Sequence, residues 1–141
     1  MKLSGQGLLL AAVTAVVIAA VVVGFLALGT PGEARKSELD RKRIEDLRNL
    51  SGMVTPADDK PLAPSLELAI GQRGDQWQKD PATGKPYGYR VVDADHFDLC
   101  ATFDTEVKEG DLGSWEKGWA HPAGPCCFRF DRRYPSLPRK P

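Results

Sequence analysis

Excess charge of either sign is absent: 19 basic residues balance 19 acidic ones in the 141-residue chain, and only two histidines are present. Without a basic surplus there is no field over the whole molecule to gather nucleic acid, so no nucleic-acid partner is expected. Catalytic signatures are missing too. Ser65 and Ser114 sit in no Gly-x-Ser-x-Gly elbow, His96 and His121 have no nucleophile at a motif spacing, and no glycine-rich phosphate loop occurs. The expectation is a protein that is not an enzyme and uses no cofactor. Cysteine is scarce, with Cys100, Cys126 and Cys127 and no Cys-x-x-Cys knuckle.

What the chain does have is a long apolar run. Leu8 to Leu28 carries no charge and only Thr14 and Gly24 as mild interruptions. At about 1.5 Å per residue it spans roughly 30 Å, the hydrocarbon thickness of a bilayer, whereas a secretory h-region stops well short of that. The reading is a transmembrane helix over 8–28 behind a cytoplasmic head, 1–7, with the bilayer as the chain's first partner. The orientation signals conflict. Arg35, Lys36, Arg41, Lys42 and Arg43 outnumber Lys2 and the terminal amine, which favours a cytoplasmic domain. The basic residues nevertheless begin well beyond Leu28, and a short charged head, an apolar run and a small cysteine-bearing domain together describe a signal anchor. The expected location is a single pass through the inner or plasma membrane, with the carboxyl-terminal domain periplasmic or extracellular. Small residues at Ala27 and Gly29 leave cleavage after Gly29 open, although the length of the run favours retention.

Downstream, Ala34 to Leu50 places Leu39, Ile44, Leu47 and Leu50 near one helical face, with Ser51-Gly52 as a stop, so 29–54 reads as a membrane-proximal amphipathic helix and stem. Thr55 to Pro64, with three prolines, reads as loop, and Ser65 caps a short helix that ends at Gly71. Asp80 to Pro86 has turn composition, with Gly84 available for positive φ. Tyr87 to Val92 and His96 to Phe103 then alternate as a hairpin around Asp93-Ala94-Asp95, and Cys126 to Phe130 forms a third strand. The predicted fold class is α+β, a small antiparallel sheet of about three strands in 55–131, stapled by a disulfide. The basic tail, 132–141, has three prolines and reads as disordered.

Period-2 parity addresses the cysteines. If the phenylalanines of both strands face the core, Cys100 and Cys127 share the opposite face and form the disulfide, while Cys126 faces inward. A one-residue shift would instead pair Cys100 with Cys126. The competing chemistry is metal binding: His96, His121 and Cys126 belong to residue types zinc accepts, although at unpersuasive spacing. Asp93, Asp95, Asp98 and Asp104 offer carboxylate oxygens for calcium but lack EF-hand spacing. Trp115 and Trp119 mark the long segment after Phe103 as a candidate interaction loop, unless they pin it to its own domain.

The order of parts resembles the type IV pilin and type II secretion pseudopilin superfamily. Asp80-Pro81-Ala82-Thr83-Gly84-Lys85-Pro86-Tyr87-Gly88-Tyr89 resembles the turn that opens the sheet of major pseudopilins, and Pro64-Ser65-Leu66-Glu67-Leu68 the proline-led helix before it. Asp46-Leu47-Arg48-Asn49-Leu50 resembles the end of the stem helix. The chain departs from the family at the prepilin peptidase site: Gly24-Phe25 lies at the far end of the apolar run, and Gly29 stands where the family carries Glu. The chain also resembles uncharacterised bacterial membrane proteins of this build. The resemblance therefore implies a pilin-like interaction or structural module of the cell envelope, anchored but not polymerised, with another envelope protein as candidate partner. A metal-binding envelope domain and a subunit of a type II secretion or type IV pilus-like assembly are the alternatives.

Overall fold

The computed structural model describes residues 5–28, 31–55, 60–74, 76–114 and 116–139. Gly29, loop residues 56–59, Trp115 and the last two residues lie outside that set. The chain divides into two compact units, Met1–Arg35 and Lys36–Pro141.

In the first unit, helix α1 (Gly5–Leu28) has no acidic or basic residue in its end turns, and its segment Gly5–Gly24 is long and apolar enough to cross a membrane. From Leu8 to Val23 its leucines, valines and isoleucine lie bare on the surface rather than in a protein core. Within the apolar run Thr14 is polar, and its hydroxyl donates to the Leu10 carbonyl at 2.8 Å. That bond satisfies the hydroxyl inside the helix itself.

Helix α2 (Pro31–Val54) begins at a proline, whose missing N–H costs nothing in a first turn. It does not stop at Ser51-Gly52 as the sequence suggests. The stripe Leu47, Leu50 and Val54 stays buried to the end, and this burial outweighs the roughly 1 kcal/mol that glycine costs inside a helix. Helix α3 (Leu66–Ile70) is capped as expected, with Ser65 Oγ accepting from Leu68 N at 3.3 Å and Gly71 closing it at φ +55°.

The sheet is an antiparallel meander of four strands in chain order: β1 (Gly88–Val91), β2 (His96–Phe103), β3 (Gly124–Asp131) and β4 (Tyr134–Arg139). On β2, Phe97, Leu99, Ala101 and Phe103 bury one face, and Phe128 and Phe130 of β3 join them. With Leu47, Leu50 and Val54 of α2 they make one core. Phe97 stacks on Phe130 at 5.5 Å between ring centroids, while Phe103 meets Phe128 edge-on.

The fourth strand corrects the reading of 132–141 as a disordered tail. Arg132 and Arg133 form a tight turn in which Arg132 N donates to Asp95 O and Arg133 N to the Asp131 carboxylate, each at 2.8 Å. Pro135 and Pro138 are tolerated because β4 is an edge strand, where a missing N–H removes little. The long segment before β3 holds β4 down. Gly118 (φ +92°) lies so close that a Cβ there would meet the Pro138 carbonyl at 2.6 Å, and Pro138 is buried.

Candidate functional site

Register decides the cysteines. Cys100 stands directly opposite Cys127, and the two are joined in a disulfide. Cys126 pairs in register with Ala101 on the core side, where it is half-buried and packs against the core cluster. The third strand therefore has the unshifted parity, and the alternative Cys100–Cys126 pairing does not form. The disulfide occupies the face of the sheet away from the core. Gly88 lies opposite Cys100, and a Cβ there would come within 3.0 Å of the Cys100 Cβ, so β1 leaves that position bare.

The weak metal candidates do not converge. His96 opens β2, with its Nδ1 2.8 Å from Asp93. His121 is buried in the long segment, stacked on Phe103 at 3.8 Å and paired through its backbone with Val107. Cys126 is on β3. Among the described residues, no group of three His, Cys, Asp or Glu is placed to hold a metal ion. The four aspartates considered for calcium are likewise dispersed, each with its own partner. Asp93 takes His96, Asp95 takes Arg133 at 3.5 Å, Asp98 takes Arg90 and Arg129, and Asp104 takes Arg43.

The densest polar cluster was not foreseen. Arg43 of α2 is buried, with its guanidinium bonded to Asp40 (2.6 Å), Asp80 (2.5 Å) and Asp104 (2.7 Å). It ties the helix to the Asp80–Pro86 turn and to the end of β2. The carboxylates are satisfied in turn. Asp40 accepts from the backbone N–H groups of Asp104 and Thr105 and from the Thr105 hydroxyl, and Asp80 accepts from Ala82 N and Thr83 N. Burial alone would raise the Asp40 pKa, but the bonds from Asp104, Thr105 and Arg43 overcome it and hold the group below its ordinary value. Asp80 behaves alike, with burial outweighed by Arg43 and the two turn amides. One turn along α2, Asp46 accepts from the Tyr87 hydroxyl at 2.9 Å, and here burial wins and pushes the carboxyl up. Burial and the Asp46 bond push the Tyr87 phenol up as well. The cluster clamps α2 to the Asp80–Pro86 turn and to the end of β2.

Beside the clamp, a cleft of about 250 Å³ runs between α2 and the segment 105–121. Ile44, Val107, Leu112 and Trp119 supply its apolar wall, and Arg41 and Glu116 lie among its polar residues. Of the two readings, the structure has the pinning one for Trp119. It is 3% exposed, packed on Phe128 and Phe130, with the Arg48 guanidinium over its ring at 5.4 Å. It pins the segment to the core. Its companion Trp115 lies outside the described residues.

No protein-family model matches the chain, and neither a curated protein nor a solved structure is found to match it.

Proposed function

We propose that this protein is a single-pass, membrane-anchored module of the cell envelope that works by interaction or as structure, with its disulfide-bonded domain outside the cytoplasm. The observation that carries this reading is the pairing of a bare apolar helix with a cross-strand disulfide. The helix has a membrane-spanning length, and disulfides persist in oxidising compartments, so the two features favour the same placement. An interaction or structural role is supported by side-chain use, since the Thr105 hydroxyl donates to Asp40 and His121 stacks on Phe103 within the fold. A pilin-like build is supported by the docking of the Asp80–Pro86 turn on α2 through Arg43, which joins a stem helix to the opening of a sheet. The missing prepilin peptidase signature favours an anchored form over a filament subunit.

A carboxyl-terminal fusion tests the placement. A reporter active only outside the cytoplasm is expected to work, and activity confined to a cytoplasm-only reporter would overturn the reading.

A further inference from the structure

One row of the sheet's outer face breaks the charge alternation it begins. Arg90 of β1 stands in register with Asp98 of β2, Asp98 with Arg129 of β3, and Arg129 with Arg139 of β4. Direct partners across an antiparallel ladder share a face, so these four side chains lie side by side on the face opposite the core. The first three form a closed set. Asp98 is fully buried between its neighbours, with Arg90 Nη2 at 2.6 Å and Arg129 Nε and Nη2 at 2.9 and 3.2 Å. The fourth does not fit the set. Arg139 is exposed, carries no ion pair among the described residues, and faces the like charge of Arg129. The acid two residues along β3, Asp131, is engaged by the Arg133 amide.

Like charges directly opposite on neighbouring strands repel, and a carboxylate between them reverses the sign of the interaction. A guanidinium fork suits a carboxylate because it offers two parallel donors. The face beside the row can also receive a chain. The neighbouring row is Gly88, Cys100 and Cys127, which presents a glycine and a disulfide instead of long side chains. A cleft of about 400 Å³ opens beside Gly88 and Cys100, lined also by Lys85 and by Arg43, Asp80 and Asp104, whose charges pair with one another. We propose that the outer face of the sheet docks an acidic, extended segment of a partner protein, one carboxylate of which seats between Arg129 and Arg139. The row then alternates from edge to edge. This deepens the reading of the domain as an interaction module and rests on it, while the reporter fusion tests the topology separately.

The test uses the full chain in nanodiscs of zwitterionic lipid, titrated with a fluorescein-labelled peptide of alternating Glu and Thr and read by anisotropy. Binding is expected, with Arg139→Gln weakening it about tenfold, the worth of one charge-assisted hydrogen bond. Arg41→Gln, which removes an exposed cation from α2, is expected to leave affinity unchanged. Equal loss in both variants would mean attraction by bulk charge and would overturn the proposal. So would no binding of the peptide, its displacement by millimolar inorganic phosphate, or flotation with phosphatidylglycerol vesicles in place of peptide binding. A concentration-dependent mass that Arg139→Gln abolishes would assign the face to the acidic 104–116 segment of a second copy, and would overturn it also.

Discussion

Two charge clusters in this domain are near inversions of each other. On α2 one guanidinium, Arg43, gathers three carboxylates; on the outer sheet face one carboxylate, Asp98, stands in a row with three guanidiniums. The central residue is buried in both. The difference lies at the periphery. Around Arg43 the two buried carboxylates are held in turn, Asp80 by backbone amides and Asp40 by backbone amides and a hydroxyl, so their charge is spent inside the cluster and its work is to fix helix to sheet. Around Asp98 the row runs out to an arginine with no acid beside it. A closed cluster of buried charge is a fastening, while an incomplete one at the surface retains valence for something else.

Breaking the closed cluster should have the largest effect. Arg43→Met leaves Asp40 and Asp80 buried without their cation, a loss of about 3–5 kcal/mol. Thermal melting followed by tryptophan fluorescence should show the domain unfolding far below wild type, and an unchanged melting temperature would mean the cluster fastens nothing. The disulfide between β2 and β3 comes next. Cys127→Ser frees a loop whose ends are 27 residues apart, worth roughly 3–4 kcal/mol of chain entropy, whereas Cys126→Ser should cost about 1 kcal/mol of packing. A non-reducing peptide map should return Cys100 linked to Cys127.

Asp98→Asn opens the centre of the second cluster. Its arginines are 68% and 31% exposed and can turn to water, so the loss should be smaller, about 2 kcal/mol for the charged hydrogen bonds. Acid sharpens the contrast. Asp40, Asp80 and Asp98 are held below their ordinary value of 3.8, Asp98 because Arg129 and Arg90 outweigh its burial, so the unfolded chain takes up protons first. The stability they add is complete above about pH 5 and is lost as pH falls through 3.8 and below. Two of the three belong to the Arg43 cluster, so Arg43→Met should flatten the acid limb of a stability profile more than Asp98→Asn. Asp46 runs the other way, because its raised value removes stability as pH climbs past 3.8. Asp46→Asn, which keeps an oxygen for Tyr87, should raise the melting temperature slightly at pH 7. The smallest effect on stability belongs to Arg139→Gln, within about 0.5 kcal/mol of wild type, because that side chain is a solvated end rather than a fastening.

Features that depend on neighbours in sequence were legible. The apolar span follows from an unbroken uncharged run, the Ser65 cap from one local bond, and the hairpin around Asp93-Ala94-Asp95 and the Cys100–Cys127 pairing from a period of 2. Two things escaped. β4 carries the composition of a disordered tail, and only the ladder supplied by β3 and the cover of Gly118 make a strand of it. The Arg43 cluster joins residues as far apart as Arg43 and Asp104, and nothing periodic links them. A trace of it was present: an arginine on the apolar side of α2, three residues after Asp40 and one before Ile44, is a charge facing inward and therefore in need of a partner.

The prolines of β4 govern how this sheet meets others of its kind. An edge strand ordinarily exposes a row of N–H and C=O groups on which a foreign strand can nucleate, the first step toward amyloid-like growth. Two of the six residues of β4 have no N–H to offer, so an incoming strand finds an interrupted template. Where copies of the domain are crowded together, that interruption keeps neighbouring sheets from annealing into one.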